Sequence, residues 1–496
     1  MKHFLNTITA QIVDFGIGIQ NDWFFPGTHY MSGWPGAIWM FTLYVLGFFQ
    51  WGRFFSWGDI DFRVGDWYDI SGPRLALLTD ALTHWQLPLH SANPTGLKGV
   101  TDRILSIPDF FLSPQFILLR FMGPGTFVLV DTLIFFTIGY LGLLLLGHKL
   151  NLSCAVFTIL FFLFNFNGHI TTHLAAGHIT WMGYFLLPFY ILLLLEIPDK
   201  TIDWGWILNF CLLTAVMFLQ GSFHIFVWCL LFLGLIGLFH SNYRLNAFLG
   251  VVFSLLINFF RILPVSQEAG ELGVGFMTGF LNLDELLGSM LKLVQPADAL
   301  LLTTNKITHY IAWWEVDHYI GWVGFLFVLV FGIAVWFFIR KEMKNPYAYL
   351  YGPIISIVVL SVGRISNLFF ILKIPLLDAE RVPSRFLIIP LLFLFVLGSV
   401  GLQYCFNQFK LSKLTVLLYW GSLLILVNDL QQHFELWTVS NVSPNFLPGA
   451  QTAVFDTIQN HSDPAYIWSI LIGLAVSSAT LLFLALAAKK QGRSQI

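Results

Sequence analysis

Long apolar runs recur along the whole chain, and each stops at a short cluster of polar or charged residues. A helix needs roughly 17–25 mostly apolar residues to cross a bilayer. Runs of that kind fall near 36–52, 124–148, 152–168, 178–197, 205–220, 222–240, 245–262, 318–339, 347–363, 385–406, 412–430 and 466–488. The pattern predicts an all-α, polytopic membrane protein with about twelve transmembrane helices. Only Gln220-Gly221-Ser222 divides 205–220 from 222–240, so that pair also fits a re-entrant loop or one bent helix. Residues 1–35 read as an interfacial N-terminal segment. Lys2 precedes a mildly apolar stretch, but no small-residue cleavage site follows to make it a signal peptide. Residues 36–496 read as a single integral membrane domain, because no linker or internal repeat divides them.

Charge orients the spans. With the N-terminus inside, the short inner connections carry Lys149, Lys200, Arg244, Arg340, Lys341, Lys344, Lys410 and Lys413, and the tail carries Lys489, Lys490 and Arg493. Lys and Arg concentrate in cytoplasmic connections, so both termini are expected in the cytoplasm. The outer loops then lie near 53–123, 263–317, 364–384 and 431–465 and hold most of the acidic residues, with short interfacial helices among them. Composition agrees. Hydrophobic residues make up 57% of the chain and charged residues 10%, against roughly 25% charged in a soluble domain. A net charge of −2 gives no broad attraction to nucleic acid. The four cysteines, Cys154, Cys211, Cys229 and Cys405, lie in or at the ends of apolar runs, with no disulfide or zinc spacing. No cofactor is implied; a divalent metal fits the chain but is not indicated by it. The absence of a phosphate-binding glycine loop leaves ATP-driven chemistry unsupported.

The candidate chemistry lies in the outer loops. Asp66-Trp67-Tyr68-Asp69, followed by an apolar helical pattern over Leu75, Leu77, Leu78, Ala81 and Leu82, places carboxylates at the start of a helix expected to lie on the membrane. Such a carboxylate can take a proton from a substrate hydroxyl. The competing reading is a set of solvated acids that cap helices. His169 and His173 are four apart, and His178 follows. On a helix the first two share a face and form either a metal pair or, as favoured here, polar groups shaping a substrate cleft. Arg381 and Arg385 precede the tenth span. Paired guanidiniums at a bilayer surface suit a phosphate, or else pair with Asp378 and Glu380. Glu315 and His318 sit in an aromatic segment on the same side. Asp131, inside the second span, must face protein or water and reads as a structural hydrogen-bond partner.

Four of these pieces together resemble the GT-C superfamily of integral membrane glycosyltransferases, and within it the bacterial YfhO-like membrane proteins. They are the acid-bearing first loop whose helix ends Trp85-Gln86-Leu87-Pro88, Gly177-His178 before a run closing on Leu187-Pro188, Glu315 followed by Tyr319-Ile320-Gly321, and Arg381-Val382-Pro383-Ser384-Arg385-Phe386. The resemblance implies a GT-C-like fold in a bacterial plasma membrane. It also implies transfer of a sugar from a polyprenyl-phosphate donor to an acceptor at the extracytoplasmic face, with membrane lipids as surroundings and membrane proteins as further partners. A first-loop acid would be the general base. Asp69 matches best by its spacing to Trp85-Gln86-Leu87-Pro88, and Asp66 is second. Arg381, Arg385, His169, His173, His178 and Glu315 would bind substrate. The family's Asp-Glu pair is absent, since Tyr68 and Ile70 flank Asp69. That departure leaves two other readings, a non-catalytic GT-C-like subunit of a larger complex and a lipid or solute transporter using Asp131.

Overall fold

The structure is a computed structural model that describes residues 23–24, 34–92, 101–268, 278–298, 312–339, 346–374, 376–377, 380–409, 411–445 and 457–494. Most of the N-terminal segment 1–35, and Asp378 with it, lies outside these residues. The described residues are mostly helical, and their only β pairing is three isolated bridges.

Five helices are long and apolar enough to cross a membrane: Pro124–Lys149, Cys154–Ala176, Pro383–Gln408, Lys413–Leu436 and Pro464–Gly492. A sixth is added if Arg244–Ile257 and Phe259–Glu268, bent by 72°, make one span. Trp34–Phe54 adds a helix of 21 residues. The runs Ile179–Leu195, Trp204–Leu219, Phe223–Phe239, Gly321–Phe337 and Ala348–Leu360 are shorter apolar helices. At 1.5 Å per residue, a helix of about 17 residues covers about 26 Å, just under a typical hydrocarbon core. Burial sorts the long helices. Cys154–Ala176 is buried along its whole tested length, whereas Lys413–Leu436 and Pro464–Gly492 are only 22% buried. Leu414, Leu417, Leu418 and Leu424 are among the large apolar side chains left exposed on the outer helices. Apolar surface on that scale needs lipid, not water, as its solvent, and marks a membrane protein.

Local chemistry explains the breaks. Asn167 has extended backbone (φ −70°, ψ 162°) between Cys154–Phe166 and Gly168–Ala176. Its amide donates to the carbonyls of Leu163 and Phe164 and to Tyr184 Oη, while its side-chain oxygen accepts from Ile170 N. One side chain thus satisfies groups left open at the end of one helix and the start of the next. The helical run therefore continues to Ala176 and buries His169 and His173, instead of ending at 168 in an interfacial loop as the apolar pattern predicts. Polar residues inside a bundle that pair with backbone are invisible to a hydropathy count.

Helix ends meet in two groups. Lys149 pairs with Glu196, Trp204 N donates to Gln491, and Tyr349 Oη donates to Leu194 O at one end. Gln50 meets Gln431, Ser113 meets Gln220, and Gly168 N donates to Tyr319 O at the other. The first loop packs on this second end. Its helix Gly72–His84 buries Leu75, Leu77, Leu78 and Ala81 against protein, which corrects the expectation of a helix lying on lipid. Buried Arg74 pairs with Asp109. Arg261 donates to the carbonyls of Leu105, Ile107 and Asp109 and clamps the loop to the bundle.

Candidate functional site

The second end carries a polar cluster around the short helix Gly168–Ala176. The helix stops at Gly177, whose φ of +101° is a conformation that glycine adopts without penalty. The first loop docks on that stop. Trp67 Nε1 donates to Ala175 O at 3.0 Å, and Ser71 Oγ donates to Gly177 O at 2.5 Å. A β-carbon on Gly177 would stand 2.7 Å from Trp67 N, so the close approach needs glycine. The docking sets Asp66 Oδ2 2.6 Å from His178 Nε2, and His178 Nδ1 2.8 Å from His173 Nδ1. With Asp66 ionised and both imidazoles neutral, the donors and acceptors line up in one direction. His178 donates through Nε2 to the carboxylate, and its Nδ1 accepts from His173. His173 Nε2 is then a bare acceptor, and it has no protein partner among the described residues.

Other imidazoles join it. His169 lies 4.6 Å from His173 and 5.0 Å from His318, between ring centroids, and both its nitrogens lack a protein partner. Neutral His318 donates through Nδ1 to Val316 O at 2.9 Å, which leaves Nε2 as another acceptor without a protein partner. Unpaired buried polar groups are uncommon and costly. Four such nitrogens in one cluster, flanked by Trp181 5.3 Å from His169, form a recess suited to a polar ligand.

Arg385 and Glu315 close one side. Two guanidinium nitrogens, Nε and Nη2, meet the two carboxylate oxygens, with Nη2 to Oε1 at 2.5 Å, and the guanidinium lies 5.4 Å over the Trp181 ring. Burial works against the charged form of Glu315, but the charge and hydrogen bonds of Arg385 outweigh it and hold the carboxyl below its usual range. The fork answers Glu315, not Glu380. Glu380 instead accepts from His224 Nδ1 at 2.8 Å and Trp228 Nε1 at 3.0 Å. Arg381 is half-buried and makes no ion pair among the described residues. Burial and then Arg385 lower its pKa, while Glu315 and Asp66 oppose the shift. Asp66 also acts on Glu315 and Asp69. Asp69 itself is exposed at the rim, and partial burial and then the Asp66 charge raise its carboxyl above the usual range.

The fold thus brings Asp66, Asp69, His169, His173, His178, Glu315, Arg381 and Arg385 to one end of the bundle from four separate segments. It adds His318, Trp181, His224, Trp228 and Glu380, which the sequence did not mark as binding residues. Aromatic residues read there as an interfacial belt, and nothing in their spacing distinguishes a belt from the wall of a recess. Three other first-loop acids have structural partners. Asp61 pairs with Arg63, Asp80 accepts from Ile458 N, and Asp109 holds Arg74. Asp59 and Asp61 line a separate open groove of about 400 Å³ with Ser440 and Ser443. Asp131 accepts from Gln220 at 3.2 Å, as a structural partner would. All four cysteines are free. No family model, curated protein or solved structure matches this chain.

Proposed function

We propose that this protein transfers a glycosyl group from a polyprenyl-phosphate donor to an acceptor at the extracytoplasmic face, in a GT-C-like bundle of about twelve membrane-crossing segments. One observation carries the reading. Acid, imidazole, guanidinium and indole groups converge at one end of an otherwise apolar bundle, with buried imidazole nitrogens left to bind something polar. Bare nitrogen lone pairs accept protons from hydroxyls, and indole faces pack against sugar rings. In the reaction, an acceptor hydroxyl oxygen bonds to the anomeric carbon, and its proton passes to a carboxylate of the Asp66–Asp69 pair. The bond from that carbon to the phosphate oxygen breaks, and the lipid phosphate leaves with the electron pair. Arg381 balances the charge that develops. Arg385, already neutralised by Glu315, positions Trp181 and the recess. The His173–His178 chain orients Asp66 and offers an exit for the proton.

The test is release of polyprenyl phosphate by the full chain in nanodiscs, supplied with a panel of polyprenyl-phosphate sugars. Loss of the working base, in Asp66→Asn or Asp69→Asn, is expected to slow turnover by roughly 10²–10⁴-fold. Arg381→Ala is expected to raise the donor KM. Full activity in both aspartate variants removes the acid–base mechanism. No donor binding and no release by the unaltered chain would move the reading to a non-catalytic subunit.

A further inference from the structure

A second cluster stands outside this site. His90 and Asp102 come from the first loop and His461 from the last. Each offers one ligand atom, and the three atoms lie within 4.8 Å of one another. Backbone pairing builds the cluster. Ser91 N donates to Asp102 O, Gln459 N donates to His90 O, and Ala92 N donates to Thr457 O. His90 N donates to Asn460 Oδ1 at 3.0 Å. Short extended segments from two distant parts of the chain are thus held side by side. The side chain of His90 is fully buried, and neither ring nitrogen has a hydrogen-bond partner among the described residues. A buried imidazole with both nitrogens open is a costly arrangement unless something binds there, and the His461 ring packs beside it at 4.0 Å between ring centroids. Asp102 Oδ2 lies 2.7 Å from His461 Nε2.

We infer that His90, Asp102 and His461 bind a divalent transition metal of the zinc class. Two imidazoles and a carboxylate are a borderline donor set that favours zinc and its neighbours, whereas calcium and magnesium take oxygen ligands. Donors about 2.0–2.2 Å from a tetrahedral zinc stand about 3.3 Å apart, so Asp102 and His461, now 2.7 Å apart, part slightly while both close on His90. Those movements fall on His461 and Asp102, whose side chains are 53% and 39% exposed, while His90 stays fixed. Charge agrees. Asp463 Oδ2 lies 3.6 Å from His90 Nε2 and is bound by Arg103, which also holds Glu268. Arg103 thus faces two carboxylates, and Asp102 stands on His461 with no guanidinium partner among the described residues, so the cluster carries an excess of negative charge that a divalent cation offsets. Asp463 is committed to Arg103, so water would take the fourth position. The metal would pin the last loop to the first near Asp80 of the loop helix, which accepts from Ile458 N.

The experiment uses the full chain in detergent, purified without a polyhistidine tag, stripped with a chelator and titrated with zinc chloride. Bound zinc is measured by elemental analysis and calorimetry. One equivalent is expected. His461→Ala and Asp102→Asn change exposed side chains, so the fold should hold, and each is expected to weaken zinc by more than the roughly 10–100-fold that loss of an outer partner costs. His240→Ala, beside Tyr349 at the opposite end, is expected to bind zinc as the unaltered chain does. Zinc is also expected to raise the unfolding temperature of the unaltered chain and not that of His461→Ala. Absence of stoichiometric binding, or equal binding in both ligand variants, overturns the site.

Discussion

At the scale of single residues, the Arg385–Glu315 pair decides how the recess holds its charge. Both side chains are almost buried, so breaking the pair strands a charge in a poor solvent. Glu315→Gln is expected to cost about 3–5 kcal/mol in thermal or denaturant unfolding, and Glu315→Gln with Arg385→Met much less, because the double change removes both charges. The pH dependence has a definite sign. The folded-state carboxyl of Glu315 is depressed, so its contribution is full above the unfolded value of about 4.3 and is lost as pH falls through the folded value. Glu315→Gln should remove that acid-side loss. Asp69 behaves oppositely, with its carboxyl raised by partial burial and Asp66. If Asp69 is the working base, the acid limb of kcat/KM lies above the usual carboxylate range, and Asp66→Asn shifts it downward. An unmoved limb would assign the proton to another group.

At the scale of elements, two glycines set the site. Gly177 admits the Asp66–Trp67 backbone to the end of the histidine helix, and a β-carbon there meets Trp67 N while φ stays at +101°. Gly177→Ala should push the first loop away and misplace Asp66 by an ångström or so. A misplacement of about 1 Å can cost on the order of 10²-fold in rate. Unchanged turnover in Gly177→Ala would detach Asp66 from the chemistry. Gly168 works the same way on the other side, since a β-carbon there collides with the Asp317 carboxylate. That carboxylate accepts from Trp313 Nε1 at 2.6 Å and Tyr319 N at 2.9 Å and faces His433 Nε2 at 3.1 Å. The Glu315–His318 segment is thereby tied to the histidine helix.

At the scale of the whole molecule, Lys149, Lys200 and Arg244 meet neighbours at one set of helix ends, and the acid-bearing first loop packs on the other. An impermeant maleimide applied outside intact cells should label Ser440→Cys, exposed in the short helix Val439–Val442, and should miss Ser494→Cys. The native cysteines are buried, except half-buried Cys405, which belongs to the expected inner end. The reverse labelling would put Asp66, the histidines and Arg381 on the cytoplasmic face and remove a lipid-linked donor supplied from outside.

The apolar periodicity by itself determined that the chain is helical and made for lipid, because each helix closes its own backbone hydrogen bonds and its composition selects its solvent. It also marked the segments bearing Asp66, His178, Glu315 and Arg381, since charged groups in so apolar a chain stand out. It did not determine which span is long enough to stand alone, nor that the third run extends to Ala176, because Asn167 repairs the break through its own side chain. Pairing was decided by tertiary structure alone. Arg385 meets Glu315 from 70 residues away, Asp66 meets His178 from 112, and Asp102 meets His461 from 359. Such contacts depend on which helix ends share a face of the bundle. That arrangement follows from the packing of apolar sides against one another, whereas the polar residues that gain a partner leave no period or spacing in the sequence.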